Sequence, residues 1–174
     1  ASVADAVSLG ADAVITYLFF GHSDPALETK SFEDCAALNA TARAVGMPHI
    51  IETMGARGGL ARNVFDPEFI ASHTRVGAEM GADIIKTDWP GSAAALSDIT
   101  ATLPVPVLMA GGPRQDSDIG TLRLVAQVMQ GGAAGTLFGR QIFEAGNPLA
   151  VMKACRAIIH RGASVEDAMA GAGF

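Results

Sequence analysis

One lysine, two carboxylates and two glycine turns are the residues of this chain whose types and spacing suit chemistry. Lys86 stands in Gly-Ala-Asp-Ile-Ile-Lys-Thr-Asp-Trp-Pro-Gly (81–91), which reads as a short buried strand entered from a helix that stops at Gly81 and left through Pro90-Gly91. Lys86 then falls near the carboxyl end of the strand, where βα loops build ligand sites. A lysine withdrawn from water gives up its proton more readily, and the free amine attacks a carbonyl carbon to form a Schiff base. The same position also suits an ordinary lysine whose ammonium reaches water past the last turn.

Strand alternation sets Lys86 with Ile84 and Ala82, and on the preceding strand sets Glu52 with Ile50 and Met54. If both sets face the interior, Glu52 is a buried carboxylate one strand from Lys86, either an acid/base couple or a structural ion pair. Asp88, just past the lysine strand, is the second candidate for moving a proton.

Two later strand ends suit phosphate. Ala110-Gly111-Gly112-Pro113 lets backbone N–H groups approach an anion with no Cβ in the way. Gly139-Arg140 offers a second close approach, with a guanidinium that grips phosphate bidentately. Each alone reads equally as a tight turn; after the last two strands of a barrel, such turns are the usual phosphate site. Tyr17 ends the first strand, as a proton donor or as packing. His22 and Asp24 have the spacing of a metal-binding pair with nothing to complete it, so no metal is expected. Arg57 in its glycine-rich loop suits a second phosphate or plain surface, and Trp89 suits packing beside Lys86.

The elements that position these residues repeat. Leu9-Gly10-Ala11-Asp12, Met80-Gly81-Ala82-Asp83 and Gly131-Gly132-Ala133-Ala134 are each a helix end, a glycine turn and a small-residue strand entry. The chain reads as the tail of a helix (2–9), strands at 11–17, 49–53, 82–87, 104–110 and 135–138, and helices at 31–45, 67–80, 92–103, 118–129, 148–160 and from 164. This is an α/β pattern of successive βα units, one domain over 1–174, giving an open sheet or an arc of a barrel. Five units are too few for a closed eight-stranded barrel, so the chain reads as lacking N-terminal strands. Its edge strands would then need cover, which leads to the expectation of a homo-oligomer.

Composition bounds the partners. Of 174 residues 49% are hydrophobic and 17% charged, as buried strands under helices require, and the net charge of −6 argues against nucleic acid and anionic lipid surfaces. Cys35 and Cys155 match no metal or redox spacing and read as buried, reduced thiols. No apolar run reaches the roughly 20 residues of a membrane span. A soluble, cytoplasmic protein with a phosphorylated small-molecule substrate is the expectation.

The segments Gly-Ala-Asp-Ile-Ile-Lys-Thr, Pro-Val-Pro-Val-Leu-Met-Ala-Gly-Gly-Pro and Gly-Ala-Ala-Gly-Thr-Leu-Phe-Gly-Arg-Gln-Ile-Phe, in that order and spacing, resemble the DhnA/DeoC/FbaB-type class I aldolases. The resemblance covers nearly the whole chain. It is closest to the archaeal-type fructose-bisphosphate aldolase branch and its autoinducer-2 phosphate thiolase or aldolase relatives, the latter through Arg75 to Gly81 and Val151 to Ala154. It implies a (β/α)8 TIM barrel of which about five βα units of the C-terminal part are present, the first three strands and an aspartate on the first of them being absent. It also implies Lys86 as the Schiff-base lysine, phosphate-binding turns at Gly111, Gly112, Gly139 and Arg140, and no cofactor.

Two departures narrow the reading. A tyrosine acid/base that these aldolases carry is replaced by Met54-Gly55, as in the thiolase-like relatives, which turns attention to Glu52 or Asp88. The second lysine of deoxyribose-phosphate aldolases is Leu108 or Met109 here. The expected function is a Schiff-base-forming class I aldolase acting on a phosphorylated keto sugar or keto compound. The alternatives are a thiolase-like acyltransferase, a carboxylate-dependent isomerase or synthase, and a phosphate-binding partial barrel without catalysis.

Overall fold

Four glycines make the helix-to-strand joints. Gly10, Gly46, Gly81 and Gly132 have φ between +70° and +92°, the left-handed region in which an L side chain is strained, and each precedes a strand by three or four residues. Most helices begin on side-chain caps, and Asp24-Pro25, Asp66-Pro67 and Asn147-Pro148 each pair an N-cap oxygen with proline in the first helical position. The structure, a computed structural model, describes residues 2–174.

The helices are α1 (Val3–Ser8), α2 (Pro25–Ala44), α3 (Pro67–Glu79), α4 (Ala93–Thr102), α5 (Asp118–Gln130), α6 (Arg140–Phe143), α7 (Pro148–Arg161) and α8 (Val165–Ala172). The strands are β1 (Val14–Phe20), β2 (His49–Gly55), β3 (Ile84–Thr87), β4 (Val107–Ala110) and β5 (Gly135–Leu137). Hydrogen bonding follows the order β1-β2-β3-β4-β5 in one sheet, and the β1–β2, β2–β3 and β4–β5 pairs are parallel.

The chain divides into two compact units. The first runs to Thr87 and includes Thr102–Val107. Its core packs Leu18, Ile51 and Ile85 from three strands against Cys35 of α2, with Phe20, Phe32 and Ala78 around them. Contact between α3 and the sheet depends on Gly77: a Cβ there would lie 2.5 Å from Thr53 Cγ2 and 2.9 Å from Ile85 Cδ1. Asn39 donates to the Met80 carbonyl, and the Asp83 carboxylate accepts the His49 N–H at 2.8 Å, tying α2 and β2 to the turn before β3. The second unit, Asp88–Ala101 with Leu108–Phe174, buries Leu122, Val125, Val151, Ala154 and Ile158 between α5, α7 and α8, and Leu96, Met109 and Val128 under Trp89.

Several bounds differ from the sequence reading. The first helix is α1 (Val3–Ser8), with a capping box of Ser2 and Asp5. The helix expected from Ser31 begins at Pro25, because the Asp24-Pro25 signal lies one loop earlier; Ser31 is interior and its Oγ donates to the Glu28 carbonyl. The glycine-rich loop that carries Arg57 is held in place: Ala56 N–H donates to Phe20 O, Leu60 N–H to Gly21 O, and a Cβ on Gly59 would run into that same Gly21 oxygen.

His73 of α3 is 1% exposed, between the rings of Phe20 and Phe69, with Nδ1 on Thr53 Oγ1 at 2.9 Å and Nε2 unpartnered. Burial pushes its pKa down to about 4. A depressed histidine contributes stability that is fully present above its unfolded pKa near 6.5 and is lost as pH falls toward 4, up to about 3 kcal/mol. Urea midpoints at pH 7 and pH 5 therefore drop more for the native chain than for His73→Phe. Equal drops would remove His73 as the cause and leave His49, also lowered by burial.

Candidate active site

Parallel pairing turns the alternation into two faces. Thr16, Leu18 and Phe20 of β1, with Ile51 and Thr53 of β2 and Ile85 of β3, meet the helices. The other face carries Ile15, Tyr17 and Phe19, then Ile50, Glu52 and Met54, then Ile84 and Lys86. Register places Tyr17 opposite Glu52 and Glu52 opposite Lys86, one row across three strands.

In that row Lys86 Nζ donates to Glu52 Oε2 at 2.7 Å, with side chains 12% and 8% exposed. Their neighbours along the strands on this face are Ile50, Met54 and Ile84, all apolar. Desolvation of two charges consumes much of what their attraction returns, so a buried pair is a poor device for stability alone. It is a good device for proton transfer, because an ammonium that donates straight to a carboxylate has an acceptor in place when it must become a neutral amine.

The other residues singled out by sequence fall as follows. Asp88 follows β3 and is 8% exposed. Tyr17 is exposed and stacks on Phe19 with centroids 5.8 Å apart. His22 Nδ1 accepts the Asp24 N–H at 2.9 Å while the Asp24 carboxylate caps α2, so this pair shapes a turn. Among the described residues no group of three or more His, Cys, Asp or Glu is placed to hold a metal ion. Arg57 lies over the Phe65 ring, 5.8 Å from its centroid, and Trp89 packs in the second unit's core. Gly55 has no space for any side chain: a Cβ would sit 2.7 Å from Val64 Cβ and 2.8 Å from Phe69. No tyrosine fits there.

In the second unit β4 ends into Gly111 and Gly112, and Gly112 takes φ +56°. A Cβ on Gly112 or on Gly139 would meet nothing within 4 Å, so both glycines leave open space beside the backbone. Arg140, the first residue of α6, donates from Nη2 to the Gly112 carbonyl at 3.0 Å, bringing the two turns together. The short helix α6 and its buried Gln141 went unread in the sequence. The only signal was a polar residue inside Arg-Gln-Ile-Phe, too short for a period.

Residues 1–145 match the family described as DeoC/LacD family aldolase. The chain is 35% identical over 176 aligned positions to 2-amino-4,5-dihydroxy-6-oxo-7-(phosphonooxy)heptanoate synthase of Streptomyces griseus, covering 99% of this chain and 63% of that protein. It is 30% identical to an uncharacterised aldolase of Saccharolobus solfataricus, covering 97% and 62%. The crystal structure of an archaeal fructose 1,6-bisphosphate aldolase superposes with a TM-score of 0.87 at 31% identity, over 93% of this chain and 63% of that one. A Schiff-base-forming fructose-1,6-bisphosphate aldolase superposes at 0.86 and 32%, over 92% and 63%. The chain thus spans 62–63% of the length of the curated relatives, and its α/β fold is five βα units of the TIM-barrel arrangement found in these aldolases. By the extent of the family match and the agreement of fold, this chain belongs to the DeoC/LacD family of aldolases.

Proposed function

We propose that the chain carries the chemistry of a class I aldolase acting on a phosphorylated keto compound, with Lys86 as the Schiff-base lysine. The observation that carries this is the Lys86–Glu52 pair, a primary amine hydrogen-bonded at 2.7 Å to a buried carboxylate on an otherwise apolar strip of sheet. Lys86 passes a proton to Glu52 and its lone pair attacks the ketone carbon. Glu52 returns that proton to the carbinolamine hydroxyl, which leaves as water, and the resulting protonated imine draws in the electron pair, becoming an enamine, as the neighbouring carbon–carbon bond breaks. Glu52 or Asp88 takes the proton from the departing hydroxyl. Gly111, Gly112, Gly139 and Arg140 hold the phosphate.

The names of two relatives support a narrower reading of the substrate. Fructose 1,6-bisphosphate and the heptanoate product named for the Streptomyces protein share one unit, a phosphorylated carbon beside a ketone followed by two hydroxyl-bearing carbons. Cleavage between those hydroxyl carbons gives dihydroxyacetone phosphate in both. Dihydroxyacetone phosphate is therefore the proposed donor, and the acceptor aldehyde is the variable partner. Met54-Gly55 in place of a tyrosine favours a second reading, a thiolase-like acyltransferase that uses the same lysine.

Proton exchange separates imine chemistry from carboxylate-only chemistry. In deuterated water the protein should wash deuterium into the hydroxymethyl carbon of dihydroxyacetone phosphate, followed by proton NMR. Exchange that persists after Lys86 is replaced would contradict the imine.

A further inference from the structure

The backbone of the Gly111–Gln115 turn can be accounted for group by group, and one side chain satisfies most of it. Gln141 is fully buried. Its Nε2 donates to the Gly111 carbonyl at 2.7 Å and to the Pro113 carbonyl at 2.6 Å. Its Oε1 accepts the Gln115 N–H at 3.1 Å and the Thr121 hydroxyl at 2.8 Å. A primary amide has two donors and two acceptor lone pairs, and here all four are used. The carbonyl left between them, Gly112, accepts from Arg140. Three consecutive carbonyls of the turn are thus held by two consecutive residues of α6.

That arrangement fixes where the donors go. The peptide bonds are trans, so the N–H following a carbonyl points opposite to it. With the Gly111 and Pro113 carbonyls turned in toward Gln141, the Gly112 and Arg114 N–H groups are turned away. Pro113 has no N–H, and the Gln115 N–H is taken. No protein group among the described residues accepts from the Gly112 or Arg114 N–H. Two parallel donors without a partner beside an open glycine face form an anion cradle.

We infer that Gln141 is the positioning residue of this turn, presenting the Gly112 and Arg114 N–H groups to the phosphate of the ligand. The inference rests on the phosphate assignment above. Glutamine suits the task because a carboxylate would set negative oxygens against the Gly111 and Pro113 carbonyls, and an apolar side chain would leave both carbonyls without the donor that turns them inward.

The test compares Gln141→Met and Thr121→Val, which removes one partner of the amide from outside the turn, with the unaltered protein. Inorganic phosphate affinity is measured by calorimetry and deuterium exchange by NMR, the latter into both dihydroxyacetone phosphate and dihydroxyacetone. Gln141→Met should weaken phosphate by at least about tenfold and Thr121→Val by about two- to threefold. KM for dihydroxyacetone phosphate should rise with little change at saturation, while exchange into unphosphorylated dihydroxyacetone is unchanged. A general structural defect would lower both exchanges alike and overturn the positioning role. Native phosphate affinity in both variants would overturn it and leave the phosphate assignment standing; failure of the unaltered protein to bind phosphate would overturn both.

Discussion

Lys86→Met is expected to abolish turnover and deuterium exchange, by a factor on the order of 10⁶, the scale on which loss of a covalent nucleophile acts. Phosphate affinity stays within about twofold, since the groups that hold the Gly112 turn all lie in the other unit. The variant also loses stability. Glu52 is left 8% exposed without its counter-charge, and breaking a buried pair from one side costs about 3–5 kcal/mol. A second substitution separates the two effects. In Lys86→Met/Glu52→Leu both charges are gone and the strip is apolar throughout, so the melting temperature returns to the native value or above it while activity stays absent. A double variant as unstable as the single one would mean that the pair is a structural fastening and not a device kept for chemistry.

Glu52→Gln keeps the shape and an acceptor for Lys86 but can no longer take its proton. If Glu52 is the base, kcat falls by about 10²–10⁴. The comparison that decides is Asp88→Asn under the same conditions. The register supports Glu52, because it stands opposite Lys86 and accepts its hydrogen bond. A large loss in Asp88→Asn with near-native Glu52→Gln would transfer the proton step to Asp88 and leave Glu52 as the residue that orients the lysine.

What the sequence made legible follows from local rules. Gly10, Gly81 and Gly132 betrayed the βα repeat because a left-handed helix stop needs glycine whatever the tertiary context. Lys86 and Glu52 fell on one face because strand alternation has a period of two, and the parallel register then brought them to 2.7 Å. The start of α2 lies before the expected residue 31 although its signal is local: Asp24-Pro25 pairs an N-cap with a proline in the first helical position.

Other features depend on contacts that no local pattern encodes. The row that adds Tyr17 to Glu52 and Lys86 requires the β1–β2 register. Gln141 acts on carbonyls 28 to 30 positions away, from a helix of four residues. The course of the loop after β2 depends on the Gly21 carbonyl, so Gly59 expresses close packing rather than freedom.

The central claim is that Lys86 forms the imine. Intact mass after borohydride reduction in the presence of dihydroxyacetone phosphate, followed by peptide mapping, tests it most directly. One reduced adduct per chain is expected, on the peptide containing Lys86, and none without the ketone. An unmodified Lys86 under saturating dihydroxyacetone phosphate, or an adduct carried by Lys30 or Lys153 instead, would contradict it.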